Sequence, residues 1–139
     1  MKTFSSTLQR RTKGFNDIHD MTEEVRNALA ESQFRNGIIT VFIPGSTAGI
    51  TTIEFESGAI SDLTNAIERL APKDMHYQHD ARWGDGNGFS HVRAAVIGPS
   101  LSVPFNNGTM QLGTWQQIIL IDFDNRPRTR EVIVQIIGE

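Results

Sequence analysis

The stretch QIILIDFDNRPRTREVIVQIIG, residues 117–138, decides the class of fold. It contains two β-branched apolar runs, 118–121 and 132–137, separated by the turn Asp124-Asn125, and this pattern is typical of β-strands. Both alternating faces of each run are apolar, whereas a small antiparallel sheet usually leaves one face to solvent. We expect other subunits to supply part of the missing cover, with a thicker core within one chain as the alternative.

Outward from this stretch, most of the chain follows strand patterns. The predicted strands are 2–12, 37–44, 50–55, 101–105 and the two runs above. The turn Asn106-Asn107-Gly108 follows the strand at 101–105, and the last third of the chain is expected to form an antiparallel meander.

Three amphipathic helices are predicted between these strands. The first begins at the capping-box pair Asp20 and Glu23 and ends near 36–37. The second covers 60–70 and ends before a proline, and the third begins after Asn87 and ends at 98–99. The polar stretch between them, 72–86, is predicted to be a loop. The sequence thus predicts a single α+β domain over residues 1–139, mostly antiparallel sheet with about three helices.

Composition excludes several classes of function. The chain has no cysteine, which removes thiol nucleophiles, disulfides and cysteine metal sites. Its net charge of -3 provides no basic footprint for nucleic acid. No apolar run is long enough to cross a membrane, and the first residues lack the apolar core of a signal peptide. We therefore expect a cytoplasmic protein that binds neither nucleic acid nor a membrane.

The stretch DARWGDGNGFSH, residues 80–91, concentrates residues that can carry chemistry. His79 and His91 flank two aspartates, Asp80 and Asp85, and imidazole and carboxylate groups together bind divalent ions such as Mg²⁺ or Zn²⁺. His91 falls in the first turn of a predicted helix, where the helix dipole favours a neutral ring. An equally simple interpretation is structural, with the polar side chains forming turn hydrogen bonds.

Several blocks of the sequence together resemble the YjbQ-like family, described as secondary thiamine-phosphate synthase enzymes. The blocks are PGSTAGITTIEFESG, GDGNGFSH, GPSLSVP, LGTWQ and VQIIGE, in this order. The resemblance implies a compact α+β subunit, assembly as a homotrimer, and a polar pocket near the subunit contacts. Many relatives carry histidine where this chain has Gly45, so the pocket implied here lacks one imidazole.

The resemblance also implies roles for individual residues. His79, Asp85 and His91 are the predicted catalytic residues, and His79 and His91 are the candidate metal ligands. The predicted substrate-binding residues are Ser46, Thr47, Glu54, Asn87 and Gln116, together with Arg130, which is included for its charge because it could face an anionic substrate.

The implied reaction joins hydroxymethylpyrimidine diphosphate to thiazole phosphate and releases pyrophosphate. Its leaving anion would be stabilised by backbone amides, by Arg130 or by a bound metal ion. The ligand is thus expected to be a small phosphate compound. The alternative is a trimeric protein that binds a metal or a small molecule without this activity.

Overall fold

The computed structural model describes residues 1–139 and contains eight strands and four helices. The strands are β1 (Lys2–Thr12), β2 (Asp17–Asp20), β3 (Gly37–Phe42), β4 (Ala48–Ile53), β5 (Ser100–Asn106), β6 (Thr109–Met110), β7 (Gln117–Asp122) and β8 (Arg128–Gly138). The helices are α1 (Thr22–Ser32), α2 (Ser57–Leu70), α3 (Gln78–Trp83) and α4 (Gly88–Ile97). The predicted α+β class with mainly antiparallel sheet is confirmed.

The strands form two antiparallel sheets. The five-stranded sheet has the order β1-β8-β3-β5-β6, and the three-stranded sheet has the order β2-β7-β4. The prediction of a meander in the last third is therefore wrong, because β7 and β8 lie in different sheets. The segment between them carries the chain from one sheet to the other, and β8 then pairs with β1 from Lys2↔Gly138 to Thr12↔Arg128.

The two faces of β7 contact different layers of the same chain. Ile118 and Leu120 belong to the main core, together with residues of the five-stranded sheet and α1. Ile119 and Ile121 belong to a second cluster that includes residues of α2 and α4. All four side chains are fully buried within one chain. The expectation that other subunits cover this strand is therefore wrong, and the thicker core accounts for its pattern.

The outer face of the five-stranded sheet has no such cover. Along β8, Val132, Val134 and Ile136 are buried, whereas Ile137 on the opposite face is 43% exposed. Ile137 pairs with Ile38 of β3, which is 53% exposed. Since side chains alternate between the faces of a strand, an apolar surface remains open on this side of the chain.

The start of α1 differs from the predicted capping box. Asp20 ends β2, and its Oδ1 accepts hydrogen bonds from the backbone N–H and the hydroxyl of Thr22. Met21 occupies the N-cap position, and Glu23 pairs with Arg26 instead of turning back. The spacing predicted a helix start in the right place but the wrong set of hydrogen bonds.

The predicted loop at 72–86 contains a helix, α3, that the pattern did not indicate. The physical reason is that α3 is six residues long and buries none of its side chains, so it carries no apolar stripe. The second and third predicted helices are confirmed as α2 and α4. No helix combines the length and the apolar composition needed to span a bilayer.

Candidate functional site

A polar cleft of about 510 Å³ lies where α3, the start of α4 and the start of β8 meet. We call it the histidine cleft. Its lining residues are Gly45, Ser46, Thr47, His79, Trp83, Asp85, Asn87, His91, Arg128 and Arg130. One wall is formed by the two helices, and the other by the segment before β4 and the first residues of β8.

The helical wall depends on a tight corner between α3 and α4. Gly84 and Gly86 adopt positive φ values of 71° and 69°, a left-handed conformation that favours glycine. Across the corner, Asp80 Oδ1 accepts a hydrogen bond of 2.7 Å from the N–H of Gly88. A Cβ on Gly88 would lie 2.6 Å from the Cβ of Tyr77, so only glycine permits this approach.

The corner brings two histidines and two carboxylates together. The rings of His79 and His91 are 4.2 Å apart between centroids, with an interplanar angle of 37°. His79 Nδ1 lies 3.4 Å from Asp85 Oδ1 and 3.7 Å from Asp80 Oδ1. The ligand atoms of His79, Asp80 and Asp85 all lie within 4.8 Å of one another, which is the arrangement that can hold a metal ion.

His91 has a pKa below its ordinary value. Burial of the ring is the largest cause, and the neighbouring His79 lowers the pKa further, while Asp85 and Asp124 act in the opposite direction. The direction agrees with the sequence-based expectation of a neutral ring.

The second wall rests on buried charged and hydroxyl groups that we call the buried charge cluster: Thr12, Thr47, Asp122, Asp124 and Arg130. Arg130 binds Asp122 through two parallel hydrogen bonds, Nε to Oδ2 at 2.7 Å and Nη2 to Oδ1 at 2.9 Å. Nη2 also donates to Thr47 Oγ1 at 2.7 Å. Thr12 donates to Asp122, and Thr47 donates to Asp124.

Asp124 is the acceptor on which several residues of the cleft converge. Its side chain accepts hydrogen bonds from Thr47, Asn87 and Arg128, and from the backbone N–H of Asn125. Burial alone would raise the pKa of Asp124, but these hydrogen bonds outweigh that effect and lower the pKa to about 2. Asp124 is therefore ionised near neutral pH and fixes the positions of the groups around it.

Sequence reasoning missed Asp122 and Asp124 as supports of the site. Their partners lie far away in the chain, as in the contact between Thr12 and Asp122, which are 110 residues apart. The fully apolar run before Asp122 was the available signal, since a buried carboxylate at the end of such a run needs a charged partner. Arg128 and Arg130 are the residues that supply this partner charge.

Most of the predicted site residues meet in the histidine cleft. These are Ser46, Thr47, His79, Asp85, Asn87, His91 and Arg130. Asn87 also stands at the N-cap position of α4, but its side chain donates to Asp124 at 3.2 Å instead of capping the helix.

Two predicted substrate-binding residues lie elsewhere in the chain. Glu54 lies in a separate cleft with Asp20 and Trp115. Gln116 is exposed, where its Oε1 accepts a hydrogen bond from the N–H of Gly113 and its Nε2 donates to a threonine of β4. Neither residue lines the histidine cleft of the same chain.

Gly45 determines how much of Arg130 faces the cleft. Its φ of +128° is strained for other residues, and a Cβ here would lie 3.2 Å from Arg130 Nη1. The hydrogen bonds of Arg130 to Asp122 and Thr47 use Nε and Nη2. Gly45 thus places no side-chain atom against Nη1, which makes none of these hydrogen bonds and has a donor free for a ligand.

Comparison with known proteins finds consistent relatives along the chain. A family model described as UPF0047 protein YjbQ-like matches residues 6–139. A UPF0047 protein of Methanothermobacter thermautotrophicus is 39% identical over 139 residues, covering 100% of this chain and 95% of the relative. The UPF0047 protein YugU of Bacillus subtilis is 33% identical over 133 residues, covering 95% and 98%.

Solved structures agree with this result. The crystal structure of a protein from Sulfolobus solfataricus, described as YbjQ-like and of unknown function, superposes with a TM-score of 0.94 at 28% identity. The match covers 99% of each chain. A protein of the same family from Clostridium acetobutylicum superposes with a TM-score of 0.87 at 33% identity, covering 95% of this chain and 99% of the other.

Proposed function

The chain belongs to the YjbQ-like UPF0047 family, and we propose that its histidine cleft binds a small phosphate compound and acts as a transferase of the thiamine-phosphate synthase type. In this reaction the bond from the pyrimidine methylene carbon to the diphosphate breaks, the bond to the thiazole forms, and pyrophosphate leaves. The protein therefore needs groups that stabilise a departing anion more than it needs a nucleophile.

The observation that carries this proposal is the pair of guanidinium groups beside hydroxyl groups in one cleft. Arg130 is 9% exposed and its Nη1 makes no hydrogen bond within the chain, and Arg128 binds Asp124 while remaining 33% exposed. Ser46 adds a hydroxyl group to the same wall, whereas the hydroxyl of Thr47 is engaged with Asp124 and Arg130. Guanidinium and hydroxyl donors in a fixed arrangement are suited to phosphate oxygens.

The histidines supply the second part of the proposed chemistry. His79 and His91 lie on the opposite wall, and a neutral imidazole can accept or orient a proton. Asp85, whose side chain lies beside His79, would orient that ring. The histidines, which are proposed to transfer protons, and the arginines, which are proposed to bind the anion, thus line the same cleft.

A homotrimer is part of this proposal. Ile38 and Ile137 leave an apolar area open on the five-stranded sheet, and exposed Val92 and Val96 lie on α4, the helix that carries His91. Exposed apolar areas of this kind are typical of subunit contacts. In a trimer, Glu54 and Gln116 could approach the cleft of a neighbouring subunit, which would reconcile them with the resemblance.

A second candidate function is binding without turnover. It is favoured by the state of the buried carboxylate Asp124, whose pKa is lowered to about 2. A carboxylate held ionised by several donors is a weak base near neutral pH. Ligand binding with no product would support this alternative.

The test combines the two substrates with purified protein and follows thiamine phosphate by chromatography and pyrophosphate by ³¹P NMR. Arg128→Gln removes a donor from the cleft and should lower the turnover rate about 100-fold, as for loss of one donor to a developing anion. Arg126→Gln is the matched control, because Arg126 is exposed and lies outside the cleft.

Absence of product with folded wild-type protein would overturn the proposed reaction. Calorimetry with pyrophosphate then separates the candidates. Binding that Arg128→Gln weakens and Arg126→Gln leaves unchanged would favour the binding protein. No binding in any variant would contradict both functions.

A further inference from the structure

We propose that His79, Asp80 and Asp85 bind a divalent transition-metal ion, with Zn²⁺ and Mn²⁺ as the matching ions. The proposal concerns the same cleft as the proposed function, but it depends on metal binding alone and not on turnover. It keeps His79 of the predicted ligand pair and takes Asp80 and Asp85 in place of His91, because the ligand atoms of His79, Asp80 and Asp85 are the ones that lie within 4.8 Å of one another.

The two distances from His79 Nδ1 to the carboxylates are close to the spacing of metal ligands. Two ligands of a tetrahedral ion at bond lengths of about 2.0–2.1 Å lie about 3.3 Å apart. His79 Nδ1 is 3.4 Å from Asp85 Oδ1 and 3.7 Å from Asp80 Oδ1, and all three ligand atoms lie within 4.8 Å. The backbone of Asp85 is fixed in this position by a 2.8 Å hydrogen bond from Asn125 Nδ2 to its carbonyl.

Two buried polar atoms of residues that line the histidine cleft have no hydrogen-bond partner. Asn87 is 7% exposed and lines the cleft; its Nδ2 binds Asp124, and its Oδ1 meets no donor. His79 Nδ1 is likewise buried and without a hydrogen bond. Buried polar atoms are almost always satisfied in proteins. An ion bound to Nδ1, with a coordinated water donating to Asn87 Oδ1, would satisfy both.

Charge provides a third argument. The guanidinium groups of Arg128 and Arg130 are already balanced by Asp124 and Asp122. Asp80 and Asp85, by contrast, have no arginine or lysine partner and lie beside His79 alone. A divalent ion cancels their negative charge and offers open coordination positions to the oxygens of the ligand.

The type of ligand selects the class of ion. A nitrogen ligand together with two carboxylates suits Zn²⁺ or Mn²⁺, whereas Mg²⁺ prefers sites made of oxygen ligands and water. The competing explanation is a protonated His79 held between Asp80 and Asp85 by charge alone. Such an ion pair requires no metal, so the two explanations differ in a direct binding measurement.

The experiment is titration calorimetry of EDTA-stripped protein with Zn²⁺, Mn²⁺ and Mg²⁺. We expect one Zn²⁺ or Mn²⁺ per chain and weaker binding of Mg²⁺. His79→Gln and Asp85→Asn should each weaken Zn²⁺ binding at least tenfold, because even loss of an outer partner of a metal ligand costs 10–100-fold. The visible spectrum of bound Co²⁺ gives an independent report on the nitrogen ligand.

Two matched control variants test whether the loss of Zn²⁺ binding is specific to the cluster. His76→Gln removes an exposed histidine three residues before His79, and Asp74→Asn removes an exposed carboxylate of the same loop. Both should bind Zn²⁺ like the wild type. Asp85 is 49% exposed, so Asp85→Asn is expected to fold, which circular dichroism checks.

Stoichiometric binding lost in the cluster variants and kept in the controls supports the site, whether or not the protein forms product. Three outcomes would overturn it: no binding of any ion, unchanged binding in both cluster variants, or equal loss in His76→Gln. Transferase activity in metal-free protein would support the proposed function and show that the reaction needs no metal ion.

Discussion

The middle and the end of strand β7 illustrate two ways of burying side chains. From Ile118 to Ile121 every side chain is apolar and fully buried, and the two faces pack against different layers of the chain. Immediately afterwards, Asp122 and Asp124 are equally buried but carry charge. Apolar side chains need only to be covered, whereas each carboxylate needs specific donors. The apolar part therefore holds the fold together, and the charged part fixes the geometry of the cleft.

The strongest way to break the charged part is to remove its central cation. Arg130→Met keeps side-chain length but leaves Asp122 without its two-point partner, and loss of one member of a buried ion pair costs about 3–5 kcal/mol. We expect a decrease of this size in the free energy of unfolding, measured by urea denaturation at neutral pH. Arg128→Met is the control, and its smaller cost should reflect its partial exposure. A loss below about 1 kcal/mol for Arg130→Met would contradict the assignment of the pair.

The apolar part is tested by making a cavity in β7. Leu120→Ala removes a fully buried side chain from the main core and should cost about 3 kcal/mol, since such changes range from about 2 to 5 kcal/mol. Ile137→Ala on the uncovered face of β8 should cost less than about 1 kcal/mol in a single chain. A large cost for Ile137→Ala would show that this face is covered in solution, as expected if it contacts other subunits in the proposed trimer.

The smallest expected effect separates charge from packing by pH. The pKa of Asp124 is lowered to about 2 in the folded chain, from about 3.9 in an unfolded one. A lowered folded pKa contributes stability above the unfolded value and loses it as the pH falls through the folded value. We expect the wild type to exceed Asp124→Asn by roughly 2 kcal/mol near pH 6, by the linkage of pKa to stability. The difference should shrink between about pH 5 and pH 2.

Urea denaturation of both proteins across this range measures that difference. Leu120→Ala serves as the reference, because its cost should hardly change with pH. A pH-independent difference between the wild type and Asp124→Asn would mean that the residue acts through packing and not through its charge.

The same contrast explains what the sequence could predict. The runs at 118–121 and 132–137 predict strands correctly, because an apolar pattern of this kind is a local property of the sequence. Their assignment to different sheets depends on pairings with β1 and β4, which no local pattern contains. The helix α3 escaped detection because none of its residues is fully buried, so it carries no apolar stripe.

The candidate site divides in a similar way. His79, Asp85 and His91 lie close in sequence, so a short motif was enough to group them. The contacts of Asp124 with Thr47 and Asn87 join residues 77 and 37 positions apart, and they follow only from the folded chain. Glu54 was grouped with the cleft by resemblance, and the single chain places it elsewhere.

Because α3 has no fully buried residue, binding of a ligand in the histidine cleft can be observed through this helix. A segment's resistance to local opening follows what it buries, so α3 opens more easily than the adjoining β7–β8 region. Each opening moves His79 while Arg130 stays anchored among its buried partners. A ligand that contacts both walls of the histidine cleft raises the free energy needed to open α3, because it binds only the closed form. The rate of hydrogen exchange at the backbone amides of α3 therefore reports whether the cleft is occupied, even for a ligand that has no spectroscopic signal of its own.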